Sequence, residues 1–146
     1  MNIIEPKSSK EFRIYYKLRY EILRKPWRQP PGSERDEGEA TSIHRMIIDK
    51  STEEALAVGR LQFNSADEAQ IRYMAVANSY QGKGLGSQII SALEDIALKN
   101  GNKWMILSAR ENALQFYNNN GYVIVKKTHL LFNKIQHWLM RKELAS

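Results

Sequence analysis

The sequence predicts an α/β protein of the α+β type, with a central, mostly antiparallel sheet, one parallel crossover pair and helices on both faces. Strand-like stretches at 43–48, 55–63 and 69–76 are joined by short polar turns, which favours an antiparallel meander. A helical stripe at 85–97 then leads to a buried strand at 104–108. Strand, helix and strand in that order form a crossover unit, so 69–76 and 104–108 are expected to lie parallel.

The N-terminal third predicts a helix followed by an irregular segment. Ser8 and Glu11 have the spacing of a capping box, and aromatic and apolar residues then recur at helical intervals until Pro26 ends the helix. The segment 26–39 contains three prolines and an acidic cluster, which indicates an irregular or briefly helical surface segment. The acidic cluster consists of Glu34, Asp36, Glu37 and Glu39.

The C-terminal third predicts a short helix and a closing hairpin. Residues 112–117 have helical spacing and are followed by Gly121. The last two strands are expected at 122–125 and 130–140, with a polar turn between them.

Length and composition limit the classes of protein. A chain of 146 residues with 42% hydrophobic content suits one domain over 1–146. It has no cysteine, so thiol nucleophiles and thiolate metal sites are excluded. No segment resembles a signal peptide or a membrane span, so a cytoplasmic protein with no membrane partner is expected. The net charge of +6 suits an anionic partner, but the basic residues are dispersed, which speaks against a nucleic-acid-binding arm.

A glycine-rich run between the strand 69–76 and the helix that follows is the most informative segment. Gly82, Gly84 and Gly86 can adopt positive φ and turn backbone N–H groups towards a phosphate at the helix N-terminus. A dinucleotide-binding loop is not indicated, because a serine follows Gly86 directly and the run begins well after the strand. A Walker A loop is not indicated either, because Lys83 is followed by a glycine. A plain turn before a helix is the alternative.

Two motifs together resemble the GNAT superfamily of N-acetyltransferases. Gln81, Gly84 and Gly86 match that family's coenzyme A pyrophosphate loop, (Arg/Gln)-x-x-Gly-x-(Gly/Ala). The strand WMILSAR, followed by ENA, FY and GY over 104–122, matches its second pattern. The resemblance implies the GNAT acyl-CoA N-acyltransferase fold, with acetyl-CoA (coenzyme A) as co-substrate and no metal. Segments such as YEILRKPW also resemble an ElaA-like or related bacterial branch.

The resemblance implies which residues contact the coenzyme and which carries the chemistry. Backbone groups of the strand end, the glycine-rich loop and the second motif would bind coenzyme A: Met74, Ala75, Val76, Gln81, Gly82, Lys83, Gly84, Leu85, Gly86, Ser87, Asn112 and Phe116. Tyr117 matches the tyrosine that protonates the departing thiolate, although an aromatic residue at helical spacing also fits a packing role. Asn112 can bind the coenzyme, cap the following helix, or do both.

The general base is not defined by the sequence. The strand position where some relatives carry a glutamate holds Gln70, which cannot accept a proton. Glu68, expected in the neighbouring turn, His44 and a chain of waters are the alternatives, with His129 and His137 weaker candidates. The acidic cluster could attract a cationic acceptor or could be an ordinary solvated loop.

The expected reaction is transfer of an acetyl group to a primary amine by direct attack in a ternary complex. The acceptor is a small molecule or a peptide that the sequence does not identify. Two alternatives remain: the same fold using another acyl-CoA, and a catalytically silent coenzyme-binding or basic interaction module. A homodimer is possible.

Overall fold

The computed structural model describes residues 2–144 and contains a seven-stranded sheet flanked by helices. Along the chain the elements are β1 (Ile3–Ile4), α1 (Ser9–Leu23), β2 (Ile43–Asp49), β3 (Glu54–Phe63), β4 (Glu68–Val76), α2 (Leu85–Lys99), β5 (Trp104–Arg110), α3 (Leu114–Asn119), β6 (Val123–Leu131) and β7 (Ile135–Glu143). Short 3₁₀ turns lie at Lys25–Trp27, Glu39–Thr41, Asn78–Tyr80 and Glu111–Ala113.

The sheet has the predicted mixed topology. The strand order is β1-β2-β3-β4-β5-β7-β6, and every neighbouring pair is antiparallel except β4 and β5. The helix α2 connects the two parallel strands, as the crossover pattern requires. The predicted mostly antiparallel sheet with one parallel pair is therefore confirmed.

Helices cover both faces of the sheet because buried side chains alternate along the central strands. In β3, Ala57 belongs to the core beneath α2, whereas its neighbour Val58 packs under α1. Ile89 and Leu93 of α2 are fully buried in the first core, and Tyr15 of α1 is fully buried in the second. The cleft described below lies between these two layers.

The capping box of α1 is present as predicted. The Ser8 hydroxyl accepts from the Glu11 amide at 3.1 Å, and the Glu11 carboxylate accepts from the Ser8 amide at 3.2 Å. The helix ends at Leu23, and Pro26 lies in the 3₁₀ turn that follows it. The segment 26–39 is irregular with brief helical turns, in agreement with its composition.

Two boundaries differ from the prediction. The polar run 126–129 was expected to be the final turn, but it continues β6, whose side chains are largely exposed. The turn lies instead at 132–134, where Phe132 and Asn133 both have positive φ, a conformation that asparagine tolerates well. Polar residues fit an exposed edge strand as well as they fit a turn. The two-residue strand β1 is too short for its pattern to predict it.

Candidate active site

A bulge in β4 opens a cleft in the sheet. Gly59 of β3 faces two residues of β4, Tyr73 and Met74, and Tyr73 has a φ of 56°. The hydrogen-bonded ladder between β4 and β5 ends at the pair Ile71 and Leu107, just before this bulge. Beyond that pair the two parallel strands separate, and backbone groups at Met74–Val76 lose their neighbour on β5.

The residue that permits the bulge is a glycine on the neighbouring strand. A Cβ atom on Gly59 would lie 2.6 Å from Cγ2 of Ile89 and 2.8 Å from Sδ of Met74. Gly59 therefore lets β4 bend back while α2 packs closely on β3. No glycine or proline within β4 marks the bulge, which is why the sequence of that strand does not reveal it.

The glycine-rich loop presents backbone donors at the end of the cleft. Gly82 and Gly84 have φ values of 77° and 84°, and Gly84 is the N-cap of α2. Within residues 2–144, the backbone N–H groups of 82–87 donate to no protein atom. These free donors and the positive end of the helix dipole together form a site suited to an anion such as a diphosphate.

One cavity of about 620 Å³ connects this loop with the separated strands. Its wall includes the last turn of α1, the end of β4, the loop, the end of β5 and the start of α3. The lining residues are Ile22, Leu23, Met74, Ala75, Val76, Tyr80, Gln81, Gly82, Gly84, Leu85, Gly86, Ser87, Arg110, Asn112, Ala113, Phe116 and Tyr117.

The cavity brings together nearly all residues of the sequence-based site. Lys83 is the exception, since it does not line the cavity and its Nζ lies 5.2 Å from the centre of the Tyr80 ring. Sequence reasoning missed five lining residues: Ile22, Leu23, Tyr80, Arg110 and Ala113. Arg110 gave no distinct signal, because a charged residue at the end of a strand is usually read as solvent-facing.

Tyr117 is buried in α3 with its ring between two aromatic neighbours. The ring centre is 5.0 Å from that of Phe116 and 6.2 Å from that of Tyr122, both in edge-on contact. Burial raises the pKa of the phenol to about 12, while the nearby Arg110 charge acts in the opposite direction. Among the described residues its hydroxyl makes no hydrogen bond, and the residue lines the cavity. The phenol is therefore protonated at neutral pH and available as a donor.

Comparison with known proteins identifies the family. Residues 12–122 match the model of the Acetyltransferase (GNAT) family. The chain belongs to the GNAT acetyltransferase family. It is 27% identical over 143 residues to YjcF of Bacillus subtilis (strain 168), described as an uncharacterized N-acetyltransferase, covering 98% of this chain and 100% of that protein.

Solved structures share the fold of this GNAT acetyltransferase. An aminoglycoside 6'-N-acetyltransferase complexed with coenzyme A superimposes with a TM-score of 0.82 at 16% identity, covering 100% of this chain and 98% of the other. ElaA of Escherichia coli gives a TM-score of 0.80 at 18% identity, covering 97% and 99%. The family match places this chain among the acetyltransferases, and the solved structures show that it shares their fold.

Asn112 and Gln81 have different surroundings in this acetyltransferase. Asn112 lies in the 3₁₀ turn Glu111–Ala113, and the N-cap of α3 is Ala113, which provides no side-chain cap. Of the alternatives for Asn112, the capping role is therefore excluded. Its exposed side chain lines the cavity. The side-chain Nε2 of Gln81 donates to the carbonyl of Val76 and to Oδ1 of Asn78, each at 3.2 Å. These bonds connect the loop to the end of β4.

None of the four candidate side-chain bases, Glu68, His44, His129 and His137, lines the cavity of this acetyltransferase. Glu68 begins β4 instead of occupying the turn, about 20 Å along the strand from Met74 at about 3.3 Å per residue. Hydrogen bonds from Trp104 and Asn64 lower the pKa of its carboxyl group. His44 is buried, with its two ring nitrogens 2.8 Å from the Tyr15 hydroxyl and 2.8 Å from the Glu39 carbonyl oxygen.

The acidic cluster is neither a solvated loop nor a free anionic surface. Arg60 contacts Asp36 at 2.7 Å and Glu39 at 2.8 Å, and the fully buried Arg19 contacts Glu39 at 2.9 Å. Asp36 also accepts from Arg72 at 3.2 Å and from the Tyr73 hydroxyl at 3.1 Å. The cluster is thus mostly neutralised by arginines and supports the back of the bulge.

Membrane-spanning helices and metal-binding groups were sought over the described residues. Between residues 2 and 144, no helix is both long and apolar enough to cross a membrane. Over the same range, no group of three or more histidine, cysteine, aspartate or glutamate side chains could hold a metal ion.

Proposed function

We propose that this protein transfers the acetyl group of acetyl-CoA to a primary amine by direct attack in a ternary complex. The single observation that carries the proposal is the run of unpaired N–H groups from 82 to 87 at one end of a cavity that also contains Tyr117. Diphosphate bound at the loop would direct the rest of the coenzyme along the separated strands, towards the backbone of Met74, Ala75 and Val76.

The residues of the cavity have separate roles in this proposal. The loop residues 81–87 bind the diphosphate, and Asn112 and Phe116 contact the coenzyme from the opposite wall. A neutral amine attacks the thioester carbonyl carbon, the carbon–sulfur bond breaks, and the Tyr117 hydroxyl donates its proton to the departing sulfur. The chain has no cysteine, so no acyl-cysteine intermediate forms.

Water takes the role of base in this proposal. Among the described residues, no aspartate, glutamate or histidine lines the cavity. The amine would therefore lose its proton to water, and Tyr117 would regain one from the same solvent. The rate should then follow the ionisation of the acceptor itself.

Domain count, location and association with other molecules are further expectations for this protein. We expect residues 1–146 to act as a single domain located in the cytoplasm, with no nucleic-acid or membrane partner. A homodimer remains a prediction, and the exposed edge strand β6 is the place where self-association would be sought.

Calorimetry with acetyl-CoA tests the proposed binding site. Gly84→Glu should abolish saturable binding, because it adds a negative charge and a strained residue where the diphosphate would lie. Gly101→Glu is the matched control, since Gly101 also has positive φ and open space around its Cβ position but caps the opposite end of α2. Equal binding by both variants, or a loss in both, would remove the loop from the coenzyme site.

A further inference from the structure

Two arginines beside the cavity differ from all other partly buried cations of the described chain. Within residues 2–144, each lysine or arginine that is not fully exposed has a carboxylate within 4 Å, except Arg24 and Arg110. Both side chains are half-buried. A desolvated guanidinium without a counter-ion is costly, so a protein that keeps two of them together requires an explanation.

Both arginines converge on one backbone carbonyl at the edge of the cavity. Nη1 of Arg24 lies 3.0 Å and Nη2 of Arg110 lies 3.3 Å from the carbonyl oxygen of Leu23, the last residue of α1. Nε of Arg24 also donates to the Ser33 carbonyl at 3.0 Å. A guanidinium carries more N–H donors than these bonds use, and the buried nitrogen atoms without a partner lie on other residues. The remaining donors are thus open to the cavity or to solvent.

Glu34 is the acidic group that acts on Arg24, from beyond 4 Å, and its carboxylate already accepts from the Gly32 amide at 2.8 Å and from Arg35 at 3.1 Å. His137 faces Arg110 in register on β7 and is buried, and burial together with the nearby His129, Arg110 and Arg24 lowers its pKa. The Arg24 guanidinium lies 5.8 Å from the Tyr73 ring centre and 5.6 Å from that of Phe132. Burial and the Arg24 charge also lower the pKa of Arg110, since both guanidinium groups lie against the Leu23 carbonyl.

We propose that Arg24 and Arg110 bind an anionic group of the acceptor, a carboxylate or a phosphate, so that the substrate is an amine that also carries an anion. Paired guanidinium groups match the planar oxygens of such anions in bidentate hydrogen bonds. The inference rests on the proposed function, because it places the acceptor in the cavity that contains Tyr117.

The same charges explain how an amine becomes reactive where no basic side chain is present. Two cations disfavour an ammonium ion nearby and favour the neutral amine that must attack the thioester. They also disfavour a polyamine, which has no anion to offset the repulsion. An acceptor with both groups would be fixed by its anion, and the positive charge that the anion leaves uncompensated would favour its neutral amine.

Matched acceptor pairs test the inference in a free-thiol release assay with saturating acetyl-CoA. The pairs are ethanolamine with O-phosphoethanolamine, phenethylamine with phenylalanine, and cadaverine with lysine. The anionic member of a pair should have a kcat/KM about tenfold or more above the partner that lacks the anionic group, as charge-assisted hydrogen bonds allow. Phosphate and carboxylate preferences are separated by comparing the first pair with the other two. Equal values within all pairs overturn the inference.

Variants assign the preference to the two arginines. Arg110→Gln and Arg24→Gln should each bring the ratio within a pair close to one, whereas Arg13→Gln, an exposed arginine of α1, should leave the ratio unchanged. An unchanged ratio in both Arg24→Gln and Arg110→Gln overturns the inference. A weakening of acetyl-CoA binding that matches the loss of rate also overturns it, because the arginines would then belong to the coenzyme site.

A binding measurement separates this inference from the transfer reaction. The chain has three histidines, so the NMR signals of His137 can be followed in protein saturated with coenzyme A. O-phosphoethanolamine or lysine should raise the His137 pKa by placing an anion beside it, and ethanolamine or cadaverine should not. If no amine is acetylated but this shift occurs, transfer fails and the arginine site stands. If no anionic member shifts His137, the arginine site is wrong.

Discussion

At the scale of single residues, the environment of Tyr117 determines what its hydroxyl can do. Burial raises its pKa to about 12, so the phenol gives up its proton less readily than a solvated tyrosine. The same burial raises the pKa of a thiol that leaves in this cavity, and the positive charge of Arg110 partly offsets the cost of a phenolate. In the proposed reaction the Tyr117 hydroxyl therefore donates a hydrogen bond that strengthens as charge develops on sulfur, and its proton passes to sulfur as the carbon–sulfur bond breaks.

Replacement of this hydroxyl should separate catalysis from binding. Tyr117→Phe is expected to lower kcat at saturating coenzyme by about 100-fold, the lower range for a general acid, with acetyl-CoA affinity retained. A thiol-release assay measures kcat, and calorimetry measures the affinity for acetyl-CoA. Tyr122→Phe is the control, because it removes a buried hydroxyl that donates to Glu94 at 2.8 Å outside the cavity lining. Wild-type turnover in Tyr117→Phe would refute the acid role.

Residue identities could predict that the loop and Tyr117 lie in one cavity, because both belong to short sequence motifs. Positive φ at Gly82 and Gly84 follows from what glycine alone tolerates. Arg110 was missed because a charged residue at a strand end usually indicates solvent. Only the fold shows that Leu23, far away in the sequence, lies beside it.

At the scale of elements, the bulge between β3 and β4 is the feature that forms the cleft. Tyr73 holds a positive φ that is unfavourable for a tyrosine, and its hydroxyl is fixed by Asp36 while Gly59 leaves room behind Met74. The sequence could not reveal this arrangement, because the glycine and the bulged residues lie on different strands. The misplaced final turn has a related cause, since exposed strands and turns have similar composition.

Filling the space opposite the bulge should affect both stability and coenzyme binding. Gly59→Ala would place a methyl group against Ile89 and Met74, and overpacking of this kind costs about 1–3 kcal/mol. The shift of Met74 should also weaken acetyl-CoA binding. Urea unfolding and calorimetry measure the two effects, and wild-type values in both would show that the close approach at Gly59 is unimportant.

At the scale of the whole molecule, an ionic network connects α1, the segment after it and the central sheet. Four charged side chains from three parts of the chain meet behind the bulge: Arg19, Asp36 with Glu39, and Arg60. Burial alone would raise the pKa of Asp36, but hydrogen bonds from Arg60 and the Gly38 amide hold it below its ordinary value. Sequence reasoning found the acidic residues but not their partners, because charge clusters carry no information about distant contacts.

The network predicts how stability depends on pH. Because the pKa of Asp36 is lower in the folded state, its stabilisation is present above its ordinary pKa of 3.8 and is lost as pH falls through the lower folded value. Asp36→Asn should therefore cost about 2 kcal/mol at pH 7, and the difference from wild type should shrink below about pH 4. Urea unfolding at several pH values measures this. The exposed Glu37→Gln is the control, and a pH-independent difference for Asp36→Asn would contradict the assignment.

The central claim is that backbone amides of the glycine-rich loop bind the diphosphate of the coenzyme, and amide hydrogen exchange tests it most directly. The N–H groups of 82–87 make no hydrogen bond within the described chain, so they should exchange rapidly in the free protein. Saturation with acetyl-CoA should slow their exchange more than that of any other loop. Binding of acetyl-CoA with unchanged exchange at these amides would contradict the account.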